Sequence, residues 1–439
     1  MKSFFAKLLR MIKSPSIYIE VAWFRYVQKP ALWPIEVWWY RNVILPQLIK
    51  KVGRKEKIKV LFLAMSVAYW KYDTVYRRMA ADFRFEPIIM PAMRTNQSLG
   101  DQLRDHDELM EEFSRRGYNI VPGYDKRKSR FVSPKYLKAD IIFYTHPYSG
   151  PGRLRRLYDF WAMRRSLICY MPYFFAAGGD SVQSNHPIQN IAWQLYYPYE
   201  QIRPLLEKVM DNRACNVKIP GYVFGEELGE VDRSRADLVW RSDVRIRIIW
   251  APHHSIDNDS LCRVGTFLMY CDAMKELAKR YSNKIMIAFK PHPVLYSRLV
   301  KKWGREKTDE YYNFWAGQEN TMIQQGAYLE LFKGSDAMIH DCDSFQREYL
   351  EVNKPCLFLC RPDFIINGLD DAGKSALAAH YSARSKEDIV NFIENVVFKG
   401  VDPLAGLRED FYNRYLKTPN GRPFSENVVS EILKGLGKI

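Results

Sequence analysis

The chain has 439 residues, 47% of them hydrophobic and 26% charged, which is enough for two domains with separate cores and excludes disordered and fibrous classes. Its formal charge of +16 points to an anionic partner such as a membrane surface, a polyanionic polymer, a nucleotide or a nucleic acid. The seven cysteines are odd in number and never spaced C-x-x-C, so they signal neither a disulfide framework nor a structural zinc site and fit a reducing cytoplasm.

The charge is lopsided. Residues 1–59 hold thirteen Lys or Arg against Glu20, Glu36 and Glu56, so about +10 lies there and the rest of the chain is only mildly basic. Phe4, Phe5, Leu8 and Ile12 recur at helical spacing while Lys7, Arg10 and Lys13 face elsewhere, the pattern of a basic amphipathic helix over 1–13. Lys7 and Arg10 interrupt the apolar stretch and no small-residue cleavage site follows, which argues against a signal peptide. Trp23, Tyr26, Trp33, Trp38, Trp39 and Tyr40 then lie among Arg25, Lys29, Arg41, Lys50 and Lys51, with Pro30, Pro34 and Pro46 expected to break any long helix. Nothing here approaches the ~20 uninterrupted apolar residues of a spanning helix. Tryptophan and tyrosine favour the headgroup region, and each nearby Lys or Arg adds roughly 1 kcal/mol of attraction to anionic lipid. Residues 1–57 therefore read as an arm lying on the inner face of the cell membrane. A helical arm packed on the catalytic lobes, or an aromatic-basic segment for nucleic acid, are the alternatives.

After the charged break at 53–57, Ile58 to Met65 is a continuous apolar run, as a strand buried on both faces requires. A helix at Thr74 to Phe83, a strand at Pro87 to Met90, a polar helix at Asp101 to Arg116, and strands near Ile120, at Asp140 to Tyr144 and at Leu167 to Met171 follow. The series restarts with a strand at Arg245 to Trp250, a helix at Ser260 to Tyr281 and a strand at Lys284 to Lys290. Strands at Ala337 to His340 and Cys356 to Cys360 flank a helix at Ser344 to Val352. Alternation of this kind implies α/β lobes with parallel sheets and right-handed crossovers. The charged, aperiodic stretch Arg233 to Asp243 is the expected hinge, giving an arm (1–57), a first Rossmann-like lobe (58–232) and a second (233–439).

In open parallel sheets ligands bind beyond the carboxyl ends of the strands, and three such loops of the second lobe carry polar groups. They are Trp250-Ala251-Pro252-His253-His254-Ser255, Lys290-Pro291-His292-Pro293 and His340-Asp341-Cys342-Asp343-Ser344. Ser344 stands where a helix begins, whose free N–H groups favour phosphate. Glu348 lies one turn along the same face, where a carboxylate accepts hydrogen bonds from ribose hydroxyls. His253, His254 and His292 are candidates to donate to a pyrophosphate or to act as general acid or base. A plain helix cap at Asp343 or Ser344, and a structural loop histidine in the adjacent pair, are the simpler alternatives. No G-x-G-x-x-G, P-loop or metal-ligand cluster is evident, so neither a dinucleotide cofactor nor a metal is expected.

These loops together carry a family resemblance. Lys290-Pro291-His292-Pro293, then Gly334 through Phe345, then Asn353-Lys354-Pro355 resemble the CDP-glycerol glycerophosphotransferases, the teichoic-acid primases and polymerases. That family shows K-x-H-P, then S-D-x-x-I-T-D-Y-S-S, an acidic residue and N-K-P. Ala251-Pro252 and Gly221-Tyr222 also look like it, so the likeness spans roughly residues 219–360. It implies a GT-B architecture with the donor nucleotide on the second lobe and the acceptor served by the first. It places His292 at the donor diphosphate, Lys290, Asp341, Asp343, Ser344 and Phe345 about the nucleotide and phosphates, and Glu348 near the nucleoside. Two departures stand out. Asp343 replaces the first of the paired serines. The family's first-lobe W-H-G-T-P is replaced by Cys169-Tyr170-Met171-Pro172-Tyr173-Phe174, which has no histidine, leaving His146 as the nearest substitute for a catalytic base. The implied activity is transfer of a glycerol-phosphate or related polyol-phosphate group from a CDP-linked donor to a hydroxyl of a polysaccharide or lipid-linked acceptor. A nucleotide-sugar glycosyltransferase of the same architecture, or a non-catalytic membrane or nucleic-acid binding protein, are the other readings.

Overall fold

The computed structural model describes residues 33–67, 70–92, 99–145, 165–172, 185–241, 243–256, 264–326, 328–342, 344–362 and 369–439. They form two compact units, one from the residues up to Val223 together with Thr418–Ile439, the other from Phe224–Lys417.

In the first unit, β1 (Ile58–Ala64), β2 (Phe85–Pro91), β3 (Ile141–Tyr144), β4 (Leu167–Tyr170), β5 (Gln194–Tyr196) and β6 (Val217–Lys218) make one parallel sheet in the order β2-β1-β3-β4-β5-β6. The central strand β1 is buried from Val60 onward, which is why its sequence there is continuously apolar rather than alternating, with Lys59 at the one half-exposed position. Phe62 sits in register with Phe143 of β3, and the two rings stack at 4.7 Å. The strand expected near Ile120 is reduced to one parallel bridge with Ile89.

In the second unit, β7 (Ile246–Ala251), β8 (Ile285–Phe289), β9 (Thr321–Ile323), β10 (Ala337–His340), β11 (Cys356–Leu359) and β12 (Tyr381–Ala383) form a second parallel sheet, ordered β9-β8-β7-β10-β11-β12. Trp250 of β7 anchors its core, with ring centroids 4.9 Å from Phe289 and 5.1 Å from Trp315. Both units are thus Rossmann-like. Strand order reverses between β1 and β3 in one and between β7 and β10 in the other, and such reversals open the crevice where ligands settle.

Three expectations change. The stretch 233–243 is no hinge: Arg233–Val239 is a helix, capped by Asp232 accepting from the Ser234 N–H at 2.8 Å. Trp240, fully buried, fastens that helix to the second unit by donating to the Leu331 carbonyl at 3.1 Å. The chain passes to the second unit earlier, at Phe224, and returns at Thr418, so the last helix, Phe424–Gly435, belongs to the first unit. There Gln194 Nε2 donates to the Glu431 carbonyl at 2.7 Å and Arg78 Nε to Ser425 Oγ at 2.7 Å.

Pro34 and Pro46 also fail to break the arm, while Pro30 lies outside the described residues. Trp33–Gly53 is continuously helical, with a π-helical stretch at Tyr40–Ile44 ending just before Pro46. Widening the turn there accommodates a residue with no N–H to donate. Tyr40, Leu45, Leu48 and Val52 are buried, and Arg41 Nη1 donates to the Asn190 carbonyl at 3.2 Å, so this half of the arm packs on the first unit. The expected helix over 1–13 lies outside the described residues.

Gly334 lies beneath Trp240, where an added Cβ would stand 2.6 Å from Trp240 Cδ1 and 2.9 Å from its Nε1. Gly334→Ala should therefore cost about 1–3 kcal/mol through overpacking. Denaturant unfolding followed by tryptophan fluorescence checks this, and a wild-type midpoint would refute the contact.

Candidate functional site

Three loops converge at the reversal point of the second sheet. β7 runs into Pro252-His253-His254-Ser255, β8 into Lys290-Pro291-His292-Pro293 and β10 into Asp341-Cys342. Main-chain bonds lash the first two together: the His292 N–H donates to the Pro252 carbonyl at 3.2 Å and the Lys290 N–H to the Trp250 carbonyl at 2.8 Å.

Asp341 is committed to protein hydrogen bonds. It is fully buried, and one carboxylate oxygen accepts the His253 N–H at 2.5 Å while the other accepts the Thr266 N–H and, at 2.9 Å, the Thr266 hydroxyl. Burial pushes its carboxyl up to about 6, against the pull of these donors. Asp341 thereby pins the β7 loop to the start of the helix Phe267–Arg280.

His253, His254 and His292 come together. Ring centroids are 4.1 Å apart for His253 and His254, 4.1 Å for His254 and His292, and 5.4 Å for His253 and His292. One nitrogen of each lies within 4.8 Å of the others, so the fold assembles a metal-ligand set that sequence spacing did not show. The hydrogen bonds, however, prepare donors. The Val294 N–H donates to His292 Nδ1 at 3.2 Å, which leaves the proton of a neutral ring on Nε2. Ser255 Oγ accepts the Gly265 N–H at 2.8 Å and lies 2.8 Å from His253 Nδ1, and the Ser255 N–H points to the same nitrogen at 3.3 Å. Both rings then present Nε2–H, whereas a metal-binding histidine commonly gives its second N–H away to a carbonyl or carboxylate. Among the described residues His254 Nδ1 is buried without a partner. Desolvation, assisted by the neighbouring histidines and Arg298, lowers His253 to about 3; desolvation also lowers His254 and His292 to about 4. Neutral N–H donors beside cations suit an oxyanion.

Glu348 is buried and accepts the Tyr328 hydroxyl at 2.6 Å through Oε2, which orders that aromatic side chain. Lys290 is also buried. Its Nζ donates to the Gly326 carbonyl at 3.1 Å and lies 5.1 Å from the Tyr328 ring centre, and desolvation lowers it to about 8. Phe345 packs 5.2 Å from Tyr328 and 5.1 Å from Phe332. Ser344 stands at the N-cap position of the helix Phe345–Glu348, as expected, but its backbone angles are helical and it makes no side-chain cap, its hydroxyl lying 3.6 Å from Cys342 Sγ. Asp343 and His146 lie outside the described residues. Sequence reasoning missed Tyr328, whose signal was only an aromatic residue before a short helix.

The depressed histidines set an acid window. An unfolded histidine takes a proton near pH 6.5, a folded one here only near pH 4, so the unfolded chain binds more protons in between and stability falls as pH drops from 6.5 toward 4. Side-chain resonances of these three histidines should stay in the neutral form between pH 8 and 5. Titration of any of them near 6.5 would contradict the buried cluster.

No protein-family model and no curated protein matches the sequence. Solved structures do match. The wall teichoic acid polymerase TagF is similar over 99% of this chain and 98% of its own, at 14% identity and a TM-score of 0.59. S. aureus MnaA with UDP (14% identity, TM-score 0.54) covers 87% of this chain and 98% of its own. The UDP-GlcNAc 2-epimerase of Neisseria meningitidis bound to UDP-GlcNAc (13%, 0.54) covers 86% and 99%. At these identities the likeness is one of fold, and the chain has the paired Rossmann-like, parallel-sheet fold that these proteins share.

Proposed function

We propose that the chain is a transferase that takes a glycerol-phosphate or related polyol-phosphate group from a CDP-linked donor and passes it to a hydroxyl of a cell-surface polysaccharide or lipid-linked acceptor. The observation that carries this reading is the cluster of three neutral imidazoles at the reversal point of the second sheet, two of them fixed as Nε2–H donors. As the acceptor hydroxyl attacks the phosphorus that carries the polyol, the bond from that phosphorus to the bridging oxygen breaks, CMP leaves, and negative charge grows on the oxygen that departs with it. Preset donors in a water-poor site stabilise that charge without reorganising. Neutral rings need lose no proton to do this, so leaving-group stabilisation and acceptor deprotonation are separate tasks. The fold shared with a wall teichoic acid polymerase over nearly the whole chain supports the polymer side of the reading. Two similar structures hold UDP or UDP-GlcNAc, which favours a nucleotide-sugar donor as the second reading at the same site.

His292→Ala should lower kcat about 100-fold with a smaller change in donor KM, because the donor it removes acts on charge that develops in the transition state. CDP should raise the melting temperature more than UDP or ADP if the donor is CDP-linked; a larger rise with UDP would move the assignment to a nucleotide-sugar. An active His292→Ala protein would place the chemistry elsewhere.

We further propose that the arm rests on an anionic membrane surface at the cytoplasmic face. No helix among the described residues is long and apolar enough to cross a membrane. On the helix Trp33–Gly53, Ile35, Trp38 and Trp39 are exposed at one end and Lys50 and Lys51 at the other, with Arg54 and Lys57 following. That arrangement suits rings at headgroup depth and cations on lipid phosphates. Replacing Trp38 and Trp39 together by Ala should reduce partitioning onto anionic vesicles about tenfold at low salt and leave nucleotide-induced stabilisation intact. Equal vesicle binding by wild type and double variant would overturn this role.

A further inference from the structure

A diphosphate carries at least two negative charges, and neutral imidazoles offer hydrogen bonds but no net charge against them. Lys290, the cation nearest in sequence, is already held by the Gly326 carbonyl and lies over the Tyr328 ring, close to Glu348. Another cation reaches the imidazoles. Arg298 stands on the helix Leu295–Trp303, whose first turn is tied to the β8 loop by the Leu295 N–H donating to the His292 carbonyl at 2.8 Å. Its Nη1 donates to the His254 carbonyl at 3.2 Å. Among the described residues it has no carboxylate partner, and its side chain is half-buried. Arg298 also raises the cost of protonating each of the three rings.

Resting on the reading that the second unit holds a nucleotide-linked donor, we propose that Arg298 is the fixed cation of this site and binds the donor diphosphate bidentately while His253, His254 and His292 supply neutral N–H groups. The division of labour has a physical reason. A guanidinium stays charged at any working pH, makes paired parallel bonds to phosphate oxygens and is less strongly hydrated than an ammonium. Its charge adds to the desolvation that keeps the adjacent rings neutral, so their number of donors stays constant across the physiological range.

The test uses the full chain with inorganic pyrophosphate and CDP as calorimetric probes, comparing wild type with Arg298→Gln, Arg298→Lys and, as a control on the same helix, Lys301→Gln. Arg298→Gln should weaken both probes about 10- to 100-fold, the loss of a charge-assisted bond pair, with Arg298→Lys partly restoring binding. The histidine titration midpoints should also move upward in Arg298→Gln, which checks that the guanidinium lies beside the rings, while the partial rescue of probe binding by Arg298→Lys separates a charge role from a structural one. If wild type binds the probes and Arg298→Gln binds them within twofold, the assignment of Arg298 falls while the transferase reading stands. If wild type binds neither probe, both fall. Thermal melting of each variant shows whether a loss of binding reflects the site or the fold.

Discussion

One buried carboxylate holds the candidate site in shape. Asp341 stands at the end of β10, across the strand reversal from β7, and its three short bonds to His253 and Thr266 draw together the β7 loop and the helix Phe267–Arg280. Each bond is charge-assisted and worth about 1.5–3 kcal/mol, which offsets part of what burying the carboxylate costs. With the His253 backbone fixed, its ring is committed to Ser255 and the neighbouring rings have a wall to pack against. Everything proposed for the imidazoles depends on this anchor.

A second constraint is burial: His253 is buried, and His254 and His292 are half-buried. Burial depresses the histidines and Lys290 and raises Asp341, all in the direction that discharges them. The fold answers with hydrogen bonds where it can: Ser255 for His253, Val294 for His292, Gly326 for Lys290 and Tyr328 for Glu348. Such ordering fixes direction before any ligand arrives, and direction is what a charge-stabilising site requires.

The long central strands were legible because burial on both faces leaves an unmistakable apolar run, as in Ile58 to Ala64 and Ile285 to Phe289. β5, β6, β9 and β12 were not, since two or three residues at a sheet's far side cannot display a period. The Arg233–Val239 helix was hidden because charged residues cover it and one tryptophan, Trp240, does the anchoring. In the site, loop position foretold the histidines. It could not foretell that Asp341 and Glu348 are turned inward, because a carboxylate that binds ligand and one that ties two loops together have the same letter. Arg298 was overlooked for the opposite reason: an arginine on an amphipathic helix looks like part of a solvated face until the loop beneath it is in place.

The return of the last helix to the first unit has a consequence for how the protein is made. Among the described residues the second unit is one stretch, Phe224–Lys417, and it separates the last helix of the first unit from the rest of that unit. During synthesis, residues 224–417 can collapse as soon as they leave the ribosome, but the sheet of the first unit must wait for Phe424–Gly435 to cover Trp193 and Gln194. The nascent first unit therefore carries an uncovered apolar edge for the time needed to translate its neighbour, and this is the interval in which a chaperone or an early docking surface has most to offer.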